Sequence, residues 1–227
     1  APLDTHRDNL LREGVEEASI YVTGNTGIDA VLSVARKGGA AADGMVAEAL
    51  KGEGRLILVT AHRRESIGDG IKGICEAVKR LLAAYPDVKA LFPVHPNPRV
   101  QGTVRAMLEG VERCHLVSPM SYPDMVAAMK ACCFCMSDSG GIQEEAPALG
   151  KPVLVLREVT ERPEGVQSGT LKLAGLDPDR IVKLAGELLD DRDEYIRMAT
   201  SVNPFGDGKS SERIVGAILH SFGLGER

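Results

Sequence analysis

Short apolar runs alternate with segments of helical periodicity over most of this chain. Five apolar runs predict strands at residues 56–60, 90–94, 114–117, 133–137 and 153–156, and a weaker sixth run covers 170–173. Apolar side chains at 71, 74, 75, 78, 81 and 82 recur three or four residues apart, as one helix face requires. Further helices are predicted at 100–108, 123–131, 142–149, 179–190 and 211–222. Strands alternating with helices are typical of a Rossmann-like α/β fold, a parallel sheet with helices on both faces.

The first 54 residues follow a different pattern. We predict a helix at 5–13 ended by Gly14, a short strand at 20–22, and a helix capped by Asn25 or Thr26. Residues 37–54 are rich in glycine and show no clear apolar stripe, which favours a loop or a weak helix. We therefore divide the chain into an N-terminal helical arm with a connecting segment, residues 1–54, and a main domain, residues 55–227.

Composition argues against several classes of protein. The net charge is −5 and 4% of residues are aromatic, so neither a basic nucleic-acid surface nor a platform for stacked bases is expected. No apolar stretch approaches the roughly 18 residues of a bilayer span, and the polar N-terminus is unlike a targeting signal. The cysteine-rich run CCFCM is typical of a buried strand in a reducing compartment, with a reactive thiolate cluster as the alternative. We expect a cytoplasmic protein that binds neither nucleic acid nor membranes.

Polar and cationic side chains follow several of the predicted strands. His62 and Arg63 come after the first, His95 after the second, Ser139-Gly140-Gly141 after the fourth, and Arg162 in the segment after the fifth. In an open parallel sheet such loops face one edge, where ligands bind. Arginine forks and free N–H groups at helix N-termini are the usual partners of phosphate. The sequence therefore predicts an anionic, phosphorylated ligand, with ordinary loop polarity as the alternative.

The turn Ser139-Gly140-Gly141 joins a predicted strand to a predicted helix. Glycine lets a ligand approach the backbone there, and the Ser139 hydroxyl adds a donor. Glu145 lies one helical turn beyond Gly141, where its carboxylate could accept both hydroxyls of a ribose, whereas Glu144 is rotated by about 100°. A tight turn before a solvated helix explains the same residues equally well.

Two histidines have both a functional and a structural interpretation. His62 could donate to a phosphate or a leaving oxygen because imidazole titrates near neutral pH, and Arg63 and Arg64 would hold it beside an anion. A satisfied structural histidine is the alternative. His95 lies within PVHPNP, where prolines fix the loop, so ligand contact and loop rigidity are equally favoured.

Five segments, in order, resemble the non-hydrolysing UDP-N-acetylglucosamine 2-epimerases. They are VTGNTGIDAVL (22–32), VTAHRRES (59–66), PVHPNP (93–98), DSGGIQEEAPALGKPVLVLREVTERPEG (138–165) and NPFGDGKSSERI (203–214). The resemblance covers almost the whole chain, and its long block makes it specific. It implies two Rossmann-like halves in a glycosyltransferase-B-like arrangement with substrate between them. This chain would be the second, nucleotide-binding half.

The resemblance implies roles for single residues. His62 and the Ser139-Gly140-Gly141 turn would contact the diphosphate of the substrate, Glu145 the ribose, and Arg162 the phosphates. His62 is also the candidate for assisting the departure of UDP. The implied reaction eliminates UDP to give 2-acetamidoglucal and adds it back with the opposite configuration at C2, which yields UDP-N-acetylmannosamine. It needs no redox cofactor, and no metal site is expected.

The resemblance also implies regulation and assembly. Arg63 and His95 match positions associated with a second, regulatory UDP-N-acetylglucosamine molecule, and the full-length enzyme is expected to be a homodimer. The acidic residues that move protons lie mostly in the first half, so this chain alone should lack full activity. Met125 stands where the family often has an aromatic that packs on uracil. The alternatives are a donor-binding domain of a glycosyltransferase and a non-catalytic UDP-sugar-binding module, and the HRRE and TERPE segments favour the epimerase.

Overall fold

The six strands predicted after residue 54 form a single parallel sheet in the computed structural model, which describes residues 1–38 and 44–224. The strands are β1 (Arg55–Thr60), β2 (Val88–Pro93), β3 (Cys114–Val117), β4 (Phe134–Ser137), β5 (Val153–Val155) and β6 (Leu171–Leu173). Their order across the sheet is β3-β2-β1-β4-β5-β6, and every neighbouring pair is parallel. The α/β prediction is confirmed, including the weaker sixth strand.

Helices cover both faces of this sheet. They are α1 (Asp4–Arg12), α2 (Thr26–Lys37), α3 (Gly44–Leu50), α4 (Asp69–Ala84), α5 (Pro98–Leu108), α6 (Tyr122–Ala131), α7 (Gly140–Ala148), α8 (Pro163–Ser168), α9 (Pro178–Asp190), α10 (Arg192–Ala199) and α11 (Ser210–Ser221), with short 3-10 turns at Glu17–Ser19 and Arg64–Ser66. The predicted helices are confirmed with small shifts at their ends, as is usual for helix boundaries.

Alternate side chains of β1 explain the two-sided core. Ile57 and Val59 pack into the cluster under α4, α5, α9 and α10, whereas Leu56 and Leu58 pack into the cluster under α2, α3, α6 and α7. Side chains of a strand alternate between the faces of a sheet, so a strand covered on both faces is apolar throughout. The carboxyl ends of the central strands are thereby fixed relative to one another.

The predicted strand at 20–22 is wrong. This segment runs without regular secondary structure after the 3-10 turn, and Thr23 N–H donates to Ala1 O at 2.9 Å. Its backbone therefore finds a partner near the chain start instead of in the sheet. The following helix begins as predicted, because the Asn25 side chain accepts the Gly27 N–H at 2.8 Å.

The glycine-rich segment contains a helix that packs on the sheet. Val46 and Ala49, three residues apart on α3, are fully buried, so this helix does have an apolar stripe. Residues 39–43 of the segment lie outside the described residues. The division at residue 54 stays a prediction, while Val31 of α2 lies in the same core cluster as Val46 and Ala49.

Two helices were absent from the sequence prediction. The helix α8 is short, and α10 is largely polar with Met198 as its buried residue. The α10 helix is capped by Asp191, whose carboxylate accepts the N–H groups of Asp193 and Glu194, each at 3.0 Å. A capping signal is therefore present, but the apolar periodicity that marks a packed helix is not.

Candidate functional site

The ends of β1 and β4 bring the predicted site residues to one rim. The two strands are paired up to Thr60 and Ser137, whose hydroxyl oxygens lie 2.6 Å apart. His62 therefore follows one strand and Ser139 the next, and both line a pocket of about 330 Å³. The Ser139-Gly140-Gly141 segment leads directly into α7 with Ser139 at its N-cap position. This rim is called the β1/β4 rim below.

A buried carboxylate, Asp138, organises the loop that carries His62. Asp138 is 0% exposed, and its Oδ2 accepts the N–H groups of His62 and Arg63 at 2.8 Å each and the Ser66 hydroxyl at 3.2 Å. Its other oxygen, Oδ1, lies 3.0 Å from His62 Nδ1. Oδ1 has no aligned hydrogen bond among the described residues, so its partner is this ion-pair contact with His62 Nδ1. The sequence interpretation did not include Asp138.

The contact between His62 and Asp138 shifts the pKa of both side chains. The hydrogen bond to Asp138 raises the pKa of His62 above its ordinary value, although partial burial and the charge of Arg63 act to lower it. Burial acts to raise the pKa of Asp138, but hydrogen bonds from His62 and Arg63 outweigh it and hold the pKa below the ordinary value. The contact thus favours the charged forms of both His62 and Asp138, and a histidine biased toward its cation suits a site for an anion.

Two arginines approach the glycine turn from different loops. A β-carbon added at Gly140 would lie 3.6 Å from Arg63 Nη2 and 3.7 Å from Arg162 Nη2. The turn is thus open because Gly140 has no side chain, and both guanidinium groups reach its surface. Backbone N–H groups in the first turn of α7 point to the same place, since a helix leaves its first N–H groups unpaired.

Arg162 is held by Glu144, which the sequence interpretation set aside. Arg162 Nε donates to Glu144 Oε1, and Asn25 Nδ2 donates to Glu144 Oε2 at 2.6 Å. Asn203 Nδ2 also donates to the main-chain oxygen of Glu144 at 3.2 Å. The motif segments around residues 25, 144, 162 and 203 therefore meet at one residue, Glu144.

Glu145 lies on the turn side of α7, as predicted. If a β-carbon were added to Gly141, it would lie 4.0 Å from Glu145 Oε1, and one added to Gly27 would lie 3.8 Å from the same oxygen. Burial raises the pKa of Glu145 to about 7, the Tyr122 hydroxyl acts to lower it through a hydrogen bond, and Glu144 acts to raise it. The carboxylate is therefore about half ionised near neutral pH, and a ligand that donates hydrogen bonds to it favours the charged form.

The pocket beside His62 has an apolar wall. Its other lining residues include Pro93, Pro96, Pro119, Met120, Met125 and Ile142. His95 stacks on His62 with ring centroids 5.7 Å apart, and its Nδ1 accepts the Asn97 N–H at 3.1 Å. Met125, in the position of the expected aromatic, is part of this wall and also packs against the core. The pocket can accept a flat apolar group next to the charged rim.

Two spacings that suggest other chemistry belong to packing. Gly68, Gly70 and Gly73 have the GxGxxG spacing of dinucleotide-binding loops, but a β-carbon at Gly73 would lie 2.4 Å from Leu176 O and one at Gly70 would lie 2.9 Å from the Leu176 side chain. These two glycines therefore allow close packing of α4.

Cys132 and Cys135 have CxxC spacing, and their buried sulfurs lie 3.7 Å apart. Burial and the hydrogen bond to Cys132 raise the pKa of Cys135, which disfavours a reactive thiolate.

Residues 1–38 and 44–224 contain no group of three or more His, Cys, Asp or Glu side chains that could hold a metal ion. Within the same described ranges, no helix has both the length and the apolar character needed to cross a bilayer.

Fold and rim together define a Rossmann-like domain of the class that binds phosphorylated ligands at strand carboxyl ends. A family model described as UDP-N-acetylglucosamine 2-epimerase matches residues 1–219. The chain belongs to the UDP-N-acetylglucosamine 2-epimerase family.

Relatives of this chain are longer than the chain itself. The UDP-N-acetylglucosamine 2-epimerase of Bacillus subtilis (strain 168) is 45% identical over 225 residues, which cover 98% of this chain and 58% of that protein. The S. aureus MnaA–UDP co-structure has a TM-score of 0.90 and 41% identity, covering 99% of this chain and 60% of that one. The Neisseria meningitidis UDP-GlcNAc 2-epimerase bound to UDP-GlcNAc has a TM-score of 0.87 and 39% identity, covering 97% and 60%. This chain thus spans about three fifths of the relatives it matches.

A more distant likeness bears on the fold alone. The C-terminal domain of a glycosyltransferase group 1 protein from Francisella tularensis has a TM-score of 0.53 and 14% identity over 72% of this chain. At that identity the shared architecture does not transfer a function.

Proposed function

We propose that this chain is the nucleotide-binding half of a UDP-N-acetylglucosamine 2-epimerase and holds the UDP end of the substrate. The supporting observation is the convergence of His62, the Ser139-Gly140-Gly141 turn, Arg162 and Glu145 at the β1/β4 rim. These are the residues for which the family resemblance implies contact with UDP. The family to which the chain belongs and the residues that meet at the β1/β4 rim both support UDP as the ligand.

The diphosphate lies over the Ser139-Gly140-Gly141 turn in this proposal. The first N–H groups of α7 and the Ser139 hydroxyl donate to phosphate oxygens, and Arg63 and Arg162, which both lie beside Gly140, neutralise the charge. The ribose hydroxyls donate to Glu145, which favours its ionised form. The uracil enters the apolar pocket that contains Met125.

His62 assists the departure of UDP in the proposed reaction. A proton leaves C2 as the bond between C1 and the phosphate oxygen breaks, which gives 2-acetamidoglucal and UDP. Readdition of UDP with protonation on the opposite face of C2 gives UDP-N-acetylmannosamine. The imidazole, oriented by Asp138 and biased toward its cation, stabilises the charge that develops on the leaving phosphate. The acidic groups that move the C2 proton lie mostly in the region of the relatives that this chain does not span.

The proposal also includes a regulatory contact, a homodimeric assembly and a cytoplasmic location. His95 stacks on His62, so a second nucleotide-sugar bound at His95 would share Arg63 with the diphosphate of the substrate and would act directly on the catalytic loop. The full-length protein acts as a homodimer in the cytoplasm, where the five cysteines of this chain remain reduced.

Calorimetric titration of this chain with UDP tests the proposed function. Near pH 8, where Glu145 is mostly ionised, Glu145→Ala should weaken UDP binding by about 2 kcal/mol, or about thirtyfold, because two hydrogen bonds to a charged acceptor are lost. Ser139→Ala removes one neutral donor and should cost about 1 kcal/mol. Glu112→Ala, an exposed change just before β3 at the opposite edge of the sheet, is the control and should bind UDP as the unaltered chain does. Unchanged affinity in both site variants would refute the site assignment.

A further inference from the structure

A buried arginine, Arg157, lies after β5 and outside the residues assigned to UDP. Its side chain is 6% exposed. Arg157 Nε donates to Glu65 Oε1 at 2.5 Å, Nη1 to Glu161 Oε2 at 2.6 Å and Nη2 to Glu161 Oε1 at 2.9 Å. One guanidinium fork thus binds two carboxylates from two different loops, an arrangement that the compact ammonium of lysine cannot reproduce.

The two carboxylates belong to the loops that carry the site arginines. Glu65 comes two residues after Arg63 in the loop that follows β1, and Glu161 directly precedes Arg162 in the loop that follows β5. The strand β4 lies between β1 and β5 in the sheet. The Arg157 contacts therefore span the end of β4, where the Ser139-Gly140-Gly141 turn begins.

Each loop places its own arginine over that turn. Arg63 Nη2 and Arg162 Nη2 lie 3.6 Å and 3.7 Å from the position of a β-carbon on Gly140. We propose that Arg157 is a positioning residue for the phosphates: by joining the Glu65 and Glu161 loops it holds Arg63 and Arg162 beside Gly140 of the turn. This inference rests on the proposed function.

Glu65 and Glu161 are negatively charged, so their positions matter for the binding of phosphate. Glu161 and Glu65 are 57% and 52% exposed, so neither needs Arg157 to remain solvated and the loops need not collapse without it. The hydrogen bond from Arg157 lowers the pKa of Glu161 to about 2, and the charge of Arg63 also acts to lower it. A Glu161 carboxylate released from Arg157 would therefore be attracted to Arg63 and would compete with phosphate for it.

The prediction concerns phosphate affinity, separated from affinity for the nucleoside. UDP and uridine are each titrated by NMR into the unaltered chain, Arg157→Met and Arg55→Met. Arg157→Met should bind UDP about tenfold more weakly, because contacts between charged groups are displaced, and should bind uridine within about twofold of the unaltered chain. Arg55→Met is the matched control. Arg55 forms a forked pair with Asp87 at 2.6 Å and 3.0 Å near the start of β1, so its loss should leave both affinities unchanged.

The outcomes separate this inference from the proposed function. UDP affinity in Arg157→Met equal to that of the unaltered chain, or a parallel loss of UDP and uridine affinity, would overturn the positioning role and leave the proposed function standing. Failure of the unaltered chain to bind UDP would overturn both. If Arg157→Met does not fold, Arg157→Lys takes its place: it keeps the positive charge but cannot join both carboxylates as the guanidinium fork does, and it should weaken UDP binding by a few fold without affecting uridine. Equal ratios of UDP to uridine affinity in Arg157→Lys and the unaltered chain would contradict the inference.

Discussion

Replacing Asp138 by alanine is expected to lower the free energy of unfolding by about 3 kcal/mol at neutral pH, because breaking a buried charge network has costs of this size. The fully buried carboxylate accepts the N–H groups of His62 and Arg63 and the hydroxyl of Ser66. Alanine leaves these donors without an acceptor. Urea unfolding gives the free energy. The control is Asp87→Ala, which breaks the more exposed pair with Arg55 and should cost less than about 1 kcal/mol. Equal losses in the two variants would contradict the buried network.

The stability difference between Asp138→Ala and the unaltered chain should also depend on pH. The folded pKa of Asp138 is below 3.8, so its contribution is present above pH 3.8 and is lost as pH falls through the folded value. The folded pKa of His62 is above 6.5, so its contribution is complete below pH 6.5 and is lost as pH rises through the folded value. The difference should therefore be largest between about pH 4 and 6.5 and smaller on either side.

Replacing His62 by alanine is expected to lower kcat by about a hundredfold in a protein that also includes the region of the relatives that this chain does not span, because electrostatic support of the departing phosphate is lost. Conversion of UDP-N-acetylglucosamine to UDP-N-acetylmannosamine gives the rate. His115→Ala is the control, since His115 lies on the edge strand β3 away from the β1/β4 rim. A kcat for His62→Ala equal to that of the control would remove His62 from the mechanism.

The sheet was predictable because the central strands are buried on both faces. A run such as Leu56 to Val59 is apolar at every position, and this pattern differs from the periodic face of α4. The segment around Ile20 was predicted incorrectly because three apolar or aromatic residues do not show whether a sheet edge is within reach. The packing of α3 was missed because its buried face consists of small residues among glycines.

The rim was predictable as a set of loops but not as a network. Strand ends placed His62 and Ser139 together, since parallel strands share one carboxyl edge. Asp138 directly precedes Ser139, and its position at a buried strand end was a signal for a structural carboxylate. The contact of Arg157 with Glu65 across the end of β4 depends on which loops fold over the sheet. The order of residues along the chain does not specify this.

The central claim is that UDP binds at the β1/β4 rim, and a crystal structure of this chain with UDP tests it most directly. The account predicts diphosphate oxygens within hydrogen-bond distance of the Gly140 and Gly141 N–H groups, with the ribose hydroxyls on Glu145. A nucleotide bound elsewhere, for example in the pocket of Thr26 and Asp29 between α2 and α11, would contradict it.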